Sequence, residues 1–317
     1  MAQENDTQIY EFILLGFPTT TGLQALLFVI FLAVYLLTIT ENIIIVTLIT
    51  IHRQLHKPMY FFLGHLAFLE ACYISVTVPK LLVTFVVRNK SISFIGCMAQ
   101  LYFFIALVCT ECVLLAVMAY DRYAAICAPL HYTVTMSHRA CLQLATGSWL
   151  LGFFISVLKV SFISQLSFCS PRVINHFYCD ISPLLNLSCA KRRLAEMVDF
   201  ISALFTLLIP LSVIIVSYAC IMRTILLIPK AQNRRKAFST CASHLAVVTI
   251  FFSATLFMYA RPRSVNSRDH NKLISIIYTI VTPMVNPFIY CLRNQEVKDT
   301  LLKVLCRRAA VSRVSDH

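Results

Sequence analysis

The chain has 317 residues, of which 59% are hydrophobic and 13% charged, with a mean hydropathy of +0.78. That composition cannot supply the charged coat of an ordinary water-soluble domain, so the chain is read as an integral membrane protein. A formal charge of +13 would point to nucleic acid in a soluble chain, but here the lysine and arginine surplus falls mainly on segments assigned to the cytoplasmic side.

Residues 1–22 carry Glu4, Asp6 and Glu11 and no lysine or arginine, so this extracellular tail should translocate easily. It lacks a basic n-region, and the apolar run behind it is too long for a removable signal peptide. That run is predicted to stay as a first span over about 23–51, ending at the basic step His52-Arg53, with Glu41 and Asn42 at mid-depth where polar groups need interior partners. A second span, about 58–87, opens on Pro58, a favourable first helical residue; it holds Pro79 as an expected kink and carries Glu70.

The third span, about 95–126, is the most informative. From Ser93 to Ala119 it contains a single carboxylate, Glu111, and no lysine or arginine, and it ends in MAYDRYAAICAPLHY at 118–132. Glu111 and Arg122 are eleven residues apart, close to three helical turns, so both face one side of the helix. A carboxylate that deep is costly unless it faces the interior of a bundle, which makes this helix central.

A fourth span over about 140–163 carries Lys159 near its outer end, where a lysine ordinarily snorkels to the surface and otherwise faces a ligand. The loop at 164–193 holds Cys169, Cys179 and Cys189; with Cys97 these make four outward cysteines of 13, for which an oxidising exterior allows three pairings. A fifth span, about 194–228, contains Pro210, and a basic loop from Lys230 to Lys236 leads to a sixth at about 237–260. Cys241 and His244 share a face there, but two ligands do not close a metal site and packing is the simpler reading. The seventh span, about 273–292, carries Pro283 and Pro287.

At 293–308, Val297, Leu301, Val304 and Leu305 recur at helical spacing beside Lys298, Lys303, Arg307 and Arg308, the pattern of an amphipathic helix on the inner leaflet, with Cys306 as a palmitate acceptor. Residues 309–317 read as a disordered cytoplasmic tail. The sequons at Asn5, Asn89 and Asn186 all fall on the outer side, and Asn5 is the expected glycosylation site. The fold class is therefore an all-α membrane protein. It is a seven-transmembrane helix bundle with a short amphipathic eighth helix, its N-terminus extracellular and its C-terminus cytoplasmic at the plasma membrane.

The stretch at 118–132 resembles the signature of the odorant (olfactory) receptors, a branch of the rhodopsin-like G-protein-coupled receptors. Four more stretches resemble the same family in its own order: PMYFFLGHLAFLEACY at 58–73, SYACIM at 217–222, KAFSTCASHLAVV at 236–248 and PMVNPFIYCLRNQEV at 283–297. The resemblance implies a small, mostly apolar volatile ligand in the outer third of the bundle, against Phe104, Ile105, Val108, Cys109, Ser202, Thr206, Phe252, Thr255, Tyr259 and Thr279. It implies coupling to an olfactory stimulatory G protein, raising cyclic AMP, through Asp121, Arg122, Tyr123, Tyr218, Arg234, Arg235, Lys236, Asn286, Pro287 and Tyr290, with Arg122 paired to Asp121 at rest. It selects the disulfides Cys97–Cys179 and Cys169–Cys189, and it makes Glu70 and Glu111 a buried site for a sodium ion, with a protonated hydrogen-bonded pair as the alternative. Trafficking chaperones and membrane lipid are implied as further partners.

The chain departs from the family pattern at Glu41, where glycine is common, at Gly64-His65 in place of Ser-Asn, at Glu70 in place of aspartate, and at Phe252 in place of tyrosine. The last change removes a polar anchor, which Thr255 and Tyr259 are expected to replace. No nucleotide loop, hydrolytic triad, closed metal-ligand set or inverted repeat is present, so an enzyme is not expected. Two further readings remain: the same receptor type sensing an endogenous metabolite outside the nose, and a proton- or cation-conducting protein built on Glu41, Glu70 and Glu111.

Overall fold

A computed structural model describes residues 11–17, 20–87, 90–168, 172–190, 192–259, 275–293 and 296–303. Its spans are α1 (Thr21–Ile51), α2 (Pro58–Val86), α3 (Phe94–Cys127), α5 (His138–Ser164), α7 (Arg192–Leu226), α8 (Ala231–Tyr259) and a last run made of a π-helical stretch, Ile277–Val281, continued by α9 (Thr282–Arg293). Short helices α4 (Tyr132–Thr135) and α6 (Ile181–Leu187) lie in the loops, and α10 covers 296–303. Five of these helices are long and apolar enough to cross a bilayer, and Cys241–Phe257 and Thr279–Ile289 are the shorter apolar stretches of the other two, which together make a seven-helix bundle.

Local chemistry sets the ends of the helices. Pro58 opens α2, the Ser93 hydroxyl accepts from the Gly96 N–H at the start of α3, and the Ser137 hydroxyl accepts from the Ala140 N–H at the start of α5. The fifth and sixth spans differ from their expected limits. Residues 231–236 are the first turns of α8 rather than a loop, because Pro229 ends the preceding segment and Ala231-Gln232-Asn233-Arg234-Arg235-Lys236-Ala237 is rich in good helix formers.

The third helix is the axis of the molecule. Of its most apolar window, 78% is buried inside the bundle, against 11% for α1, and it packs on α2, α5, α7 and α8. The contact with α5 is closest at Gly152, where an added Cβ would lie 2.6 Å from the Ala106 carbonyl oxygen and 2.9 Å from the Thr110 nitrogen. Only glycine lets the two backbones approach so nearly.

The end of the bundle that carries the long loop at 164–191 holds a small sheet that the apolar pattern gave no sign of. Strand β1 (Glu11–Leu14) lies between β2 (Ser91–Ser93), to which it is antiparallel, and β4 (Val173–Ile174), to which it is parallel, while β3 (Ser167–Phe168) pairs with β5 (Ser188–Ala190). Phe12 and Leu14 are fully buried, and the Phe12 ring meets Phe168 edge-on at 5.3 Å. Part of the tail before the first span is thus a strand held between two loops. Beyond it, Gly16 takes φ +62°, which a side-chain-bearing residue adopts only with strain, and its N–H bonds to the His176 carbonyl.

Candidate functional site

Three clusters of polar and aromatic groups run down the inside of the bundle, and all of them touch α3. The outermost lies under the long loop. His176, Phe177, Tyr178 and Cys179 are buried although they belong to that loop. Cys97 and Cys179 form a disulfide with Cα atoms 5.5 Å apart, and the Cys179 N–H donates to Gln100 Oε1, whose own amide donates to the Val76 carbonyl. The Tyr178 ring lies 4.9 Å from Phe104, which in turn lies 5.4 Å from Tyr73. His176 Nδ1 accepts from the Tyr178 N–H, so the neutral ring carries its proton on Nε2, which reaches Ser275 Oγ at 3.0 Å. Cys189 is disulfide-bonded, while Cys169 lies outside the described residues.

Slightly deeper, Lys159 does not snorkel. Its ammonium is 2.9 Å from Asp199 Oδ1, with the two side chains 1% and 18% exposed, and Cys109 feels the charge of both. The reason is that α7 presents a carboxylate at that depth, and a paired ammonium needs no water. Ser202, one turn along α7, donates to the Asp199 carbonyl, so Cys109, Lys159, Asp199 and Ser202 form one polar corner joining α3, α5 and α7.

The remaining residues expected to meet a ligand are arranged around it. Ile105 and Cys109 are buried and Val108 is half-buried on α3; Thr206 is buried on α7; Phe252 and Thr255 are buried on α8; and Thr279 is buried in the π-helical stretch. The Tyr259 side chain lies outside the described residues. Each hydroxyl donates its proton to its own helix: Thr206 to Ser202 O (2.7 Å), Thr255 to Phe251 O (2.7 Å) and Thr279 to Ser275 O (2.6 Å). Their lone pairs stay available, so the wall of this region offers acceptors. The π-helical register at Thr279 is a further finding, and such stretches cluster at functional sites.

The middle cluster holds the buried acids. Glu70 Oε1 accepts from the Asn286 amide at 2.6 Å, and Glu111 is buried on the facing helix. Among the described residues, Asn42 Oδ1, Asn286 Oδ1 and one oxygen of Glu41 are buried with no hydrogen-bond partner. Among the described residues no three His, Cys, Asp or Glu side chains converge as a metal-ligand set.

At the far end of α3 Asp121 accepts from the Tyr132 hydroxyl at 2.8 Å and lies within electrostatic range of Arg122, although among the described residues the two make no direct ion-pair contact. The phenol comes from α4, which packs against α3. Burial, then the Asp121 charge, pushes the Tyr132 phenol up, which keeps it a donor. Arg122 lies within electrostatic range of Asp121 and Tyr132 and also of Tyr218, Cys241 and His244. Tyr218 and His244 bridge α7 and α8, with the hydroxyl 2.7 Å from Nδ1.

Tyr123 is half-buried beside Tyr120, Asn286 and Pro287 are buried in α9, and Arg234 and Arg235 are exposed on α8. The Lys236 and Tyr290 side chains, like Asn5, Asn89 and Cys306, lie outside the described residues. Lys57 pairs with Glu296 at 2.7 Å and Tyr60 donates to the same carboxylate, tying α10 to the start of α2; neither link was foreseen, because the partners are remote in sequence.

Comparison with known proteins gives the arrangement its context. A family profile described as "Olfactory receptor" matches residues 31–308. The chain is 61% identical over 312 residues to human Olfactory receptor 6B1, covering 98% of this chain and 100% of that one. It is 58% identical to human Olfactory receptor 6P1, covering 95% of each, and 57% identical to mouse Olfactory receptor 6B9, covering 95% and 96%. With a seven-helix bundle and matches of this extent, the chain is a multi-pass plasma-membrane receptor, not an enzyme, and belongs to the olfactory receptor family.

Proposed function

We propose that the chain is an odorant receptor in which a small, mostly apolar volatile binds in the outer third of the bundle and favours a packing that admits an olfactory stimulatory G protein, raising cyclic AMP. The observation that carries this reading is the dual use of α3. One buried helix bears Phe104, Ile105, Val108 and Cys109 near its outer end and Asp121 and Arg122 at its inner end, so a shift of that helix is felt at both. The ligand is apolar along most of its length, because the wall is aliphatic and aromatic. Toward Thr206, Thr255 and Thr279 its polar group acts as a hydrogen-bond donor, because those hydroxyls have already given their protons to their own helices.

In this reading the N-terminus and its sequons face outward, and Arg234, Arg235, Lys236 and the segment Pro129 to Tyr132 meet the G protein. Trafficking chaperones and lipid assist the chain on its way to the surface. Asn286 and Pro287 carry movement to the inner end with Tyr218 and Tyr290. A sodium ion fits the middle cluster through Glu70 and Glu111, since unpartnered amide oxygens of Asn42 and Asn286 add hard donors of the type such an ion takes; bound there, it would screen the two carboxylates from each other.

Arg122→Ala is the deciding variant. It is expected to abolish the cyclic AMP response in cells while leaving saturable odorant binding intact. A full cyclic AMP signal from that variant would refute the assignment.

A further inference from the structure

We propose that a groove between α3 and α7 holds an anionic phospholipid, with one acyl chain lying in the groove and the phosphate against Arg223. The inference goes beyond the odorant and G-protein reading, and its test does not depend on that reading. The groove has a volume of about 400 Å³ and is walled by Tyr120 and Tyr123 of α3 and by residues of α7 from Ser212 to Cys220.

The place of the groove decides what class of molecule meets it. From Phe200 to Met222 α7 carries no charged residue, and beside the groove Ile209, Ile215 and Val216 are between 55% and 62% exposed. An uncharged run of that length lies in hydrocarbon, so this exposed wall meets lipid rather than water. Arg223 is the first charge after the run; it is exposed and makes no ion pair among the described residues.

Helical register and the unspent polar groups then select a phospholipid with an anionic head. Val216 and Arg223 are seven residues apart, close to two turns, so the cation stands on the stripe that lines the groove, about 10 Å beyond Val216. From Cys220 back to Ser212 the groove follows α7 for about 12 Å past Val213 and Val216, a track for a chain entering from the charged end. On the opposite wall the Tyr120 and Tyr123 rings stack at 6.2 Å and 26°. Neither phenol, nor the Ser217 hydroxyl, makes a hydrogen bond among the described residues, whereas the Ser212 hydroxyl donates to the Ile209 carbonyl. Free donors beside a free cation suit phosphate and ester oxygens. A sterol would bring a single hydroxyl and nothing for Arg223 to bind.

Tyr120 and Tyr123 bracket Arg122, and Ser217 precedes Tyr218, so a lipid held here braces α3 against α7 beside the residues assigned to coupling. The rival explanation is that the tyrosines form part of the aromatic belt of the interface while Arg223 only snorkels. A belt gathers anionic lipid at the surface without holding a chain. Filling the groove therefore tells the two apart.

The experiment uses the purified full-length receptor in nanodiscs of phosphatidylcholine, doped with phosphatidylserine that carries a photoreactive group midway along one acyl chain. Labelled peptides are read by mass spectrometry. Label is expected at 120–123 and 212–220, displaced by unlabelled phosphatidylserine. Val216→Trp fills the groove and leaves every charge in place; it should lose that label, whereas Val29→Trp, on the exposed face of α1, should keep it. Arg223→Gln is expected to weaken the preference for phosphatidylserine over phosphatidylcholine about fivefold.

Should Val216→Trp not purify as a folded receptor, Val216→Phe decides, and undiminished label there overturns the proposal. Label spread evenly over all spans overturns it as well, and so does displacement by a sterol but not by phosphatidylserine. Displacement by soluble glycerophosphoserine as effective as that by the whole lipid would overturn the placing of a chain in the groove.

Discussion

A missing methyl group at Gly152 governs how near α3 and α5 approach. The atoms that a Cβ would strike are the Ala106 carbonyl oxygen and the Thr110 nitrogen, and backbone cannot rotate aside as a side-chain tip can. Gly152→Ala is therefore expected to destabilise the bundle by about 1–3 kcal/mol, the usual cost of overpacking. A lowered melting temperature of the detergent-solubilised receptor would show it. The Lys159–Asp199 pair poses the opposite problem, since removing either partner strands a buried charge. Lys159→Met should cost about 3–5 kcal/mol by leaving Asp199 uncompensated, whereas Lys159→Met with Asp199→Leu should recover most of that loss. The same melting measurement separates the single from the double variant, and equal destabilisation by both would argue that the pair is not coupled.

At the scale of elements, the surface helix α10 is held by charge at one end and by apolar burial along its length. Glu296 receives Lys57 and Tyr60, and Val297 beside it is almost fully buried. The Lys57 bond, reinforced by Tyr60, holds the Glu296 carboxyl below its ordinary value of 4.5 against a weaker opposing effect of burial. A depressed folded-state pKa means that the stabilisation is complete above the unfolded value and is lost as pH falls through the folded one. The tie should hold at neutral pH and release only in acid below that ordinary value. Because both side chains are about half exposed, its worth stays below about 1 kcal/mol and falls with salt. A spin-label distance between the start of α2 and α10, followed from pH 7 downward, is expected to lengthen only in that acid range and to do so less sharply in Glu296→Gln. On the opposite face, β1 plays the corresponding part by stitching the outer loops to each other, so each face of the bundle is closed by a segment remote in sequence from what it binds.

For the whole molecule, function requires two packings that ligand and G protein prefer together. The inner end holds two alternatives: Asp121 is engaged by Tyr132, and Arg122 lies beside the Tyr218 and His244 bridge between α7 and α8. Coupling of this kind is reciprocal, so nucleotide-free stimulatory G protein is expected to tighten agonist binding by roughly 5–150-fold, with the agonist tightening G-protein binding by the same factor. Agonist competition in membranes with and without the purified G protein checks this, and an unchanged affinity would mean that the two ends are not linked.

Much of this was legible from order and composition alone. Apolar runs of span length report the solvent they will meet, so seven spans, a central third helix and an inward-facing Glu111 follow without coordinates. The signature stretches likewise put Asp121 and Arg122 at the end of the third span. What the sequence left undecided was every contact between distant segments. Whether Lys159 reaches water or Asp199, whether Tyr132 reaches Asp121, whether Phe12 joins a sheet, and how near Gly152 comes to α3 all depend on which element faces which at what depth. Hydrophobicity fixes where a residue lies along the membrane normal, but a partner is fixed only when the helices have packed, because pairing energies fall off within a few ångströms and chain position does not encode that distance.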